Sequence, residues 1–263
     1  MLEYLRAPFV SLATLWPFWL VLSACVGSFL SMVAYRLPLI LDAKEKGEAP
    51  PMTLSAPASA CAHCSTPLRW YHNLPFIGFL LVHRATPCCA KPVPVRYLAF
   101  EASATLWGAL VWFHFHGAPL QTWAWSIFGW VMLVAAAIDA RTQWLPDVLT
   151  LPLLWAGLVF GALGTGDVSL AYRIFAIVGV YLTLRAVAQG FFLLRGVHGL
   201  GGGDIKLLAA LAAWLPLSSV AYVLLIGSAL QLAGMALTRT RQSPFGPCLC
   251  VAAVGCLLAN WWA

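Results

Sequence analysis

The sequence PLQTWAWSIFGWVMLVAAAID, residues 119–139, decides the fold class of this chain. Its first twenty residues carry no charge, and its last residue is an aspartate. An apolar helix of about 20 residues is long enough to cross the hydrocarbon core of a bilayer. The whole chain has this character, because 62% of its 263 residues are hydrophobic and 9% are charged, against about 45–50% and about 25% in soluble domains. The composition predicts a polytopic membrane protein and excludes a disulfide scaffold, a disordered chain and an ordinary cytosolic enzyme.

Eight apolar runs predict about eight transmembrane helices, with both chain ends outside the cytoplasm. The runs are about 11–35, 97–115, 119–138, 148–165, 172–194, 205–216, 218–237 and 245–263. The run 205–216 is short for a full span, so we expect it to extend into its neighbours or to be a broken helix. The N-terminus lacks a charged region followed by a cleavage site, so we expect a retained span and not a signal peptide.

The basic residues predict the orientation of the chain in the membrane. The polar segment 36–96 carries seven Lys or Arg residues and three acidic ones, which places it in the cytoplasm by the positive-inside rule. Arg141, Arg195 and Arg239 lie at further predicted inside turns, Arg173, near an outside turn, is the exception, and Arg185 falls in the middle of a predicted span. The net charge of +6 therefore reflects topology. Because the basic residues form no polar basic surface, we expect membrane lipid and no nucleic acid as a partner.

Four of the nine acidic residues lie within or at the ends of apolar runs: Glu101, Asp139, Asp147 and Asp204. A central Asp costs about 2.5–3.5 kcal/mol on membrane-insertion scales, so such residues need a functional or structural reason. The predicted topology puts Asp139 and Asp204 at the same depth, near the cytoplasmic face. Two adjacent carboxylates cannot both ionise cheaply, so one keeps a proton. This is the arrangement of aspartic proteases, in which one carboxyl is the base and the other polarises a carbonyl.

Two other interpretations of these carboxylates stay open. Asp147 and Asp204 each precede an apolar run, which is typical of a helix N-cap. A proton or ion relay in a transporter would also place carboxylates inside the membrane. The glycines 201–203 before Asp204 leave the backbone open to close approach by another chain. A cap does not require such access, and the glycines therefore favour the dyad.

Four cysteines fall in the predicted cytoplasmic loop: Cys61, Cys64, Cys88 and Cys89. A reducing cytoplasm favours metal ligation over disulfides, and four thiolates match a tetrahedral zinc site. Neighbouring cysteines do not readily both face one metal, so a histidine of the loop is an alternative ligand: His63, His72 or His83. Unligated thiols and a disulfide stay open. The remaining cysteines lie in apolar runs, where we expect packing roles: Cys25, Cys248, Cys250 and Cys256.

The order of short motifs resembles the type IV prepilin peptidases over nearly the full chain. The motifs are Gly27-Ser28-Phe29-Leu30 with Tyr35-Arg36-Leu37-Pro38, Cys61-Ala62-His63-Cys64 with residues 68–75, Arg96-Tyr97 with Glu101, Asp139 through Leu145-Pro146-Asp147, Gly201-Gly202-Gly203-Asp204-Ile205-Lys206, and Pro244-Phe245-Gly246-Pro247. The resemblance implies an all-helical aspartic peptidase of the bacterial inner membrane. Its substrates would be type IV prepilins and type II secretion pseudopilins, cleaved just after a glycine at the cytoplasmic face.

The resemblance also implies roles for individual residues. Asp139 and Asp204 would be the catalytic pair, and the secondary motif residues would be Asp147, Gly201, Gly203 and Lys206. Bifunctional members of the family N-methylate the new N-terminus with S-adenosylmethionine, although no dinucleotide-type glycine fingerprint is present here. Three positions depart from the family pattern: Ser31, Thr86 and His198. Ser31 and Thr86 fall in the region linked to methyl transfer.

We expect three segments along the chain. Residues 1–36 form the first transmembrane helix, 37–96 a cytoplasmic, methyltransferase-associated zinc loop, and 97–263 the transmembrane peptidase domain. The rival hypothesis is a transporter with an intramembrane carboxylate relay and a structural zinc loop. A binding-only role, such as a scaffold for pilus assembly, is a third possibility.

Overall fold

The protein is helical throughout the residues that its computed structural model describes. Those residues are 16–61, 64, 66–81, 88–91, 93–115, 118–166, 168–197, 199–239 and 243–262. Within these ranges there is no β-strand, only an isolated antiparallel bridge between Ala60 and Pro67. The prediction of an all-helical chain is confirmed for this part of the sequence.

Nine α-helices lie in the described residues, and one corresponds to each predicted apolar run. They are α1 (Trp16–Glu45), α2 (Ile77–Leu81), α3 (Arg96–Phe115), α4 (Pro119–Thr142), α5 (Asp147–Ala162), α6 (Leu170–Arg195), α7 (Gly202–Leu211), α8 (Leu217–Thr238) and α9 (Gly246–Trp262). The remaining helix, α2, corresponds to none of these runs. It is short and lies with the 3-10 helix Trp70–Asn73 in the segment between the first two runs.

Four of these helices are long and apolar enough to cross a membrane: α1, α4, α6 and α8. The helices α5 and α9 are apolar but shorter. The chain is therefore a multi-pass membrane protein, and the count of eight spans stays a prediction.

The first helix is longer than its apolar run indicates. The run ends at about residue 35, yet α1 continues through Pro38 to Glu45. Leu37 and Ala43 in this extension are buried. The Arg36 guanidinium donates to the carbonyls of Thr53 at 2.9 Å and Pro57 at 2.8 Å, so the following segment folds back onto the helix. The additional turns of α1 therefore lie beside the polar segment. The length of an apolar run does not take such contacts into account.

The chain divides into two compact units, Met1–Val134 and Ala135–Ala263. In the first unit α1 packs tightly against α3, because small residues line the contact. A Cβ added to Gly27 would lie 2.8 Å from the Cβ of Ala104 and 2.9 Å from the Cα of Glu101. The buried ring of Trp19 packs with three further tryptophans at centroid distances of 4.7–6.4 Å: Trp112, Trp123 and Trp130.

The second unit is built around α7, which packs against α5 and α6. Ile205 and residues 207–211 are at most 2% exposed, as expected of a stretch that is apolar apart from Lys206. Ten residues extend about 15 Å, half of the hydrocarbon thickness. A turn follows, and α8 begins after Pro216. The short run at 205–216 is therefore a buried short helix that breaks off before the next helix.

Arg173 on α6 is the exception to the predicted charge pattern, and its contacts give the reason. Its side chain is buried, 5% exposed. The guanidinium donates to the carbonyls of Thr165 and Val168 in the preceding loop and to that of Ala213 after the end of α7. A cation near the carbonyl end of a helix is electrostatically favourable. Arg173 thus has a structural position and does not report which side of the membrane its turn faces.

Candidate active site

Asp139 lies near the carboxyl end of α4 and is 4% exposed. Its Oδ2 accepts a hydrogen bond of 2.8 Å from the backbone N–H of Gly246. Gly246 is the first residue of α9, and the first N–H groups of a helix have no partner within it. The helix start therefore supplies a donor, and a favourable dipole, to a buried carboxylate.

Asp204 is the third residue of α7, and the N-cap of that helix is Gly201. The Asp204 carboxylate accepts a hydrogen bond from the Gly201 backbone N–H. This contact from the third helical residue back to the cap is one half of a capping box. The interpretation of Asp204 as the N-cap residue is therefore wrong. Its side chain folds back over the helix start.

The Asp139 and Asp204 carboxyls are close enough for their charges to interact. The Asp204 carboxyl is within range of the Asp139 charge, and the buried Cys250 thiol is within range of both. The structure thus brings together the two residues that the sequence predicted as a dyad. Like charges at such proximity favour a state in which the pair holds one proton.

The three glycines before Asp204 have different surroundings. A Cβ on Gly201 would lie 2.7 Å from the Asp204 Oδ2, and one on Gly203 would lie 2.8 Å from the Cβ of Leu145. A Cβ on Gly202 would meet nothing within 4 Å. Gly201 and Gly203 therefore allow close approach within the chain, whereas the space around Gly202 is open.

Asp147 pairs with Lys206 across two helices. The Lys206 Nζ donates to both carboxylate oxygens of Asp147, at 2.7 Å and 2.6 Å. Asp147 is the first residue of α5, and Pro146 holds the N-cap position without a side-chain cap. The N-cap interpretation of Asp147 is wrong, because its carboxylate binds an ammonium group from α7 and not the start of its own helix.

All four loop cysteines come together in the first unit. The sulfur atoms of Cys61, Cys64, Cys88 and Cys89 lie within 4.8 Å of one another. The Sγ–Sγ distances are 3.8 Å from Cys61 to Cys89 and 3.2 Å from Cys64 to Cys88. A tetrahedral zinc with Zn–S bonds of about 2.3 Å separates its sulfurs by about 3.8 Å. The cluster therefore fits one metal ion with small adjustments.

The adjacent cysteines do both face this cluster, contrary to the expectation that they would not readily do so. Cys88 lies beside Cys64, and Cys89 lies beside Cys61. His72 is not part of the cluster, whereas His63, His83, Thr86 and His198 lie outside the described residues. The Thr66 hydroxyl, 3.2 Å from the Cys64 Sγ, lowers the pKa of that thiol, which favours the thiolate form that binds metals.

Glu101 is a further buried carboxylate, 8% exposed, in the first unit. Its Oε2 accepts a hydrogen bond of 2.8 Å from the backbone N–H of Phe76, which has a φ of 58°. Gly78 follows closely, and a Cβ there would overlap the backbone of His72. Glu101 thus holds the turn between the 3-10 helix and α2.

Sequence reasoning did not assign a role to Gly246. Its position in the motif Pro244-Phe245-Gly246-Pro247 was the one indication that this glycine matters. A role that depends on a backbone N–H cannot be recognised from the type of side chain. A Cβ at Gly246 would lie 2.8 Å from the Asp139 Oδ2 and 2.9 Å from its Cγ. The glycine is therefore required for the close contact with the carboxylate.

Replacing Gly246 by Ala is expected to lower the catalytic rate of the protein by about a hundredfold, because a displacement of a reacting group by about 1 Å has effects of that size. The matched control is Gly255→Ala on the same helix, where a Cβ would meet nothing within 4 Å. Both variants are assayed for hydrolysis of a peptide bond, per mole of folded protein. Equal rates for the two variants would contradict a role for Gly246.

The helices and the two sites define a class: a multi-pass membrane protein with two interacting aspartates, Asp139 buried and Asp204 half-buried, and a four-cysteine cluster with the donor set of a metal site. The profile of the type IV leader peptidase family matches residues 126–236, and that of the bacterial peptidase A24 N-terminal domain matches residues 21–115. The chain belongs to the type IV leader peptidase family, as the sequence motifs predicted.

Several curated relatives cover most of the chain, and each carries the name prepilin leader peptidase/N-methyltransferase. The protein from Klebsiella pneumoniae is 41% identical over 81% of this chain and 91% of its own length. The protein from Neisseria gonorrhoeae is 33% identical over 92% of each chain. The one from Aeromonas hydrophila is 36% identical over 88% of this chain and 86% of its own. No solved structure matches the chain.

Proposed function

We propose that this chain is an aspartic endopeptidase that removes the N-terminal leaders of type IV prepilins and type II secretion pseudopilins. The observation that carries the proposal is the pairing of Asp139 and Asp204, each with one backbone N–H donor, in the unit that contains most of the residues matched by the peptidase profile. The family profile and the named relatives favour a peptidase over a transporter with a carboxylate relay.

In the proposed mechanism the two carboxyls share one proton and activate a water molecule. The ionised carboxyl takes a proton from the water as its oxygen bonds to the scissile carbonyl carbon, and the protonated carboxyl donates to the carbonyl oxygen. Collapse of the tetrahedral intermediate breaks the C–N bond, and a proton passes to the leaving amine. The N–H groups of Gly246 and Gly201 fix one oxygen of each carboxyl, which leaves the other oxygen for the reaction.

The proposed topology has eight spans with the aspartate pair and the cysteine loop on the cytoplasmic side of the bacterial inner membrane. The basic excess in the segment 36–96 supports it. The buried, carbonyl-bound position of Arg173 accounts for the basic residue near a predicted outside turn. A prepilin would then enter with its basic leader in the cytoplasm and its apolar segment in the bilayer.

The four-cysteine cluster is proposed to hold a structural zinc ion, with Cys61, Cys64, Cys88 and Cys89 as ligands. The separations of the sulfur atoms support this donor set. A zinc site closed by four thiolates contributes folding energy to the loop and leaves no position for a reacting water. An ion held by these four cysteines would therefore have a structural role and take no part in the peptidase chemistry.

The names of the relatives favour a second activity, N-methylation of the newly exposed residue with S-adenosylmethionine. Mass spectrometry of the processed product, made with the methyl donor present, tests it separately. A product that carries one added methyl group supports the second activity. An unmethylated product confines the chain to leader removal.

Incubation of the purified chain with a prepilin and sequencing of the product's new N-terminus test the main proposal. A new N-terminus directly after the leader glycine is the expected result. An intact prepilin, or substrate-dependent movement of charge across vesicles without cleavage, would support the transporter instead.

Replacing Asp147 by Asn is expected to leave at least partial peptidase activity. The ion pair with Lys206 is half exposed on the Asp147 side, and exposed ion pairs contribute up to about 1 kcal/mol. A rate reduced by less than about tenfold is therefore expected. Asp42→Asn is the matched control, because it removes an exposed ion pair between Asp42 near the end of α1 and Lys46 just after it. Complete loss of cleavage in Asp147→Asn would make Asp147 a candidate partner of Asp204.

A further inference from the structure

The membrane helix α6 carries a polar ridge on its exposed surface. Tyr181, Arg185 and Gln189 are spaced four residues apart, which places them along one face of the helix. All three are exposed, in a helix whose most apolar stretch has a mean hydropathy of 1.7 and no buried residue. None of the three has a hydrogen-bond or charged partner in the part of the chain that the structure describes.

The position of Arg185 along the helix makes its exposure unusual. It lies ten residues before the last residue of α6, Arg195, which is about 15 Å along the axis. The hydrocarbon core is about 30 Å thick, so the guanidinium is attached well inside it. Charged side chains at such depth face a protein partner or a water-filled cavity, because lipid tails offer no compensation.

A second copy of this chain does not supply the missing partner. Among the described residues, the acidic side chains of the α-helices are Asp42 and Glu45 at the end of α1, Asp147 and Asp204 in the first turns of α5 and α7, and the buried Glu101 and Asp139. No exposed carboxylate therefore lies at mid-span depth to meet Arg185. A second copy of this chain therefore does not supply the complementary charge, whereas a different membrane-spanning polypeptide can.

The ridge lies on a helix that adjoins the candidate active site within the same unit. The helix α6 packs against α7, which carries Asp204, and against α5, which carries Asp147. Residues 196–201 connect the end of α6 directly to the start of α7. A transmembrane segment that contacts α6 would therefore lie beside the helix that presents Asp204.

We propose that the Tyr181–Arg185–Gln189 ridge receives the transmembrane segment of the substrate, and that Arg185 pairs with a carboxylate within that segment. This inference rests on the proposed peptidase function and adds a specificity determinant to it. Tyr181 and Gln189 provide hydrogen-bond donors on either side of the guanidinium. Arg185 contacts the substrate away from the scissile bond and has no part in the chemistry.

The test uses the full-length chain with paired synthetic substrates, in neutral phosphatidylcholine vesicles and in parallel in vesicles that also contain phosphatidylglycerol. Each substrate has a basic leader, a glycine at the cleavage position and an apolar segment of about 20 residues. One member of each pair carries a single Glu, placed in turn at successive positions of the apolar segment, and the other carries Gln there. Cleavage rates are compared for the unmodified chain, Arg185→Gln and Arg185→Lys. The control Arg195→Gln removes an exposed charge of the same helix away from the ridge.

The expected result is a loss of roughly tenfold in kcat/KM for Arg185→Gln on the Glu substrate at its preferred position, the size of a polar contact between membrane helices. The Gln substrate, Arg185→Lys and Arg195→Gln should show little change.

Equal losses on the Glu and Gln substrates, or no loss on either, would overturn the inference while leaving the peptidase function intact. A dependence on Arg185 that appears only with phosphatidylglycerol, and equally for both substrates, would assign the guanidinium to lipid headgroups and also overturn it. If the unmodified chain cleaves neither substrate, the peptidase function itself is refuted.

Discussion

Replacing Asp139 or Asp204 by Asn is expected to slow leader cleavage by about a thousandfold or more, while the chain remains folded in the membrane. Asn has the volume of Asp and still accepts the hydrogen bond from the Gly246 or Gly201 N–H. It cannot bind or release the proton that the mechanism moves between water, carbonyl and leaving amine. Either substitution therefore removes one half of the acid–base pair and keeps its geometry.

The measurement is the initial rate of product formation from a prepilin, divided by the amount of variant found in the membrane fraction. Asp42→Asn, on the exposed end of α1, serves as the control for loss of a carboxylate as such. The double variant Asp139→Asn/Asp204→Asn should be no slower than either single variant, because the two groups act as a unit. Normal processing by either single variant would refute the assignment of the catalytic pair.

Replacing Cys64 by Ser is expected to reduce bound zinc from one ion per chain to a small fraction and to destabilise the loop around it. Structural zinc sites in small domains contribute about 10–16 kcal/mol of binding free energy, most of which depends on the complete set of thiolates. The Cys64 thiolate is favoured by its contact with Thr66 and lies 3.2 Å from the Cys88 sulfur. Its loss therefore opens the coordination sphere.

Zinc content is measured by elemental analysis of protein purified under reducing conditions without chelators, and loop stability by limited proteolysis of the segment 46–95. Cys25→Ser is the matched control, since Cys25 is an exposed cysteine of α1 that is not part of the cluster. The control should retain its metal and its resistance to protease. Zinc-free unmodified protein, or full zinc content in Cys64→Ser, would contradict the metal assignment.

Local sequence properties were enough to predict the helices. The length of an apolar run depends only on residues that follow one another in the sequence. One helix corresponds to each of the eight runs. The discrepancies occur where contacts outside the run matter. The helix α1 continues past its run beside a loop that is tied to Arg36. The helix α7 begins before its run, because Gly201 and Asp204 form the start of the helix.

The roles of the acidic residues illustrate the limit of pattern-based inference. An Asp before an apolar run favours an N-cap on statistical grounds, yet neither Asp147 nor Asp204 occupies that position. Asp147 binds Lys206, which is 59 residues further along the chain. No local pattern encodes such a pair, because the two residues become neighbours only when α5 packs against α7.

The sequence by itself determined that this protein is a helical membrane protein of the leader peptidase family, with two candidate aspartates and four candidate metal ligands. Residue type and order along the chain carry that information directly. Only the tertiary structure decided that the Gly246 N–H binds Asp139 across 107 residues, and that all four cysteine sulfurs form one cluster. It also left Arg185 exposed and without a partner among the described residues. The physical reason is that hydrogen bonds, metal coordination and burial depend on distances in space, which helix packing sets and sequence separation does not.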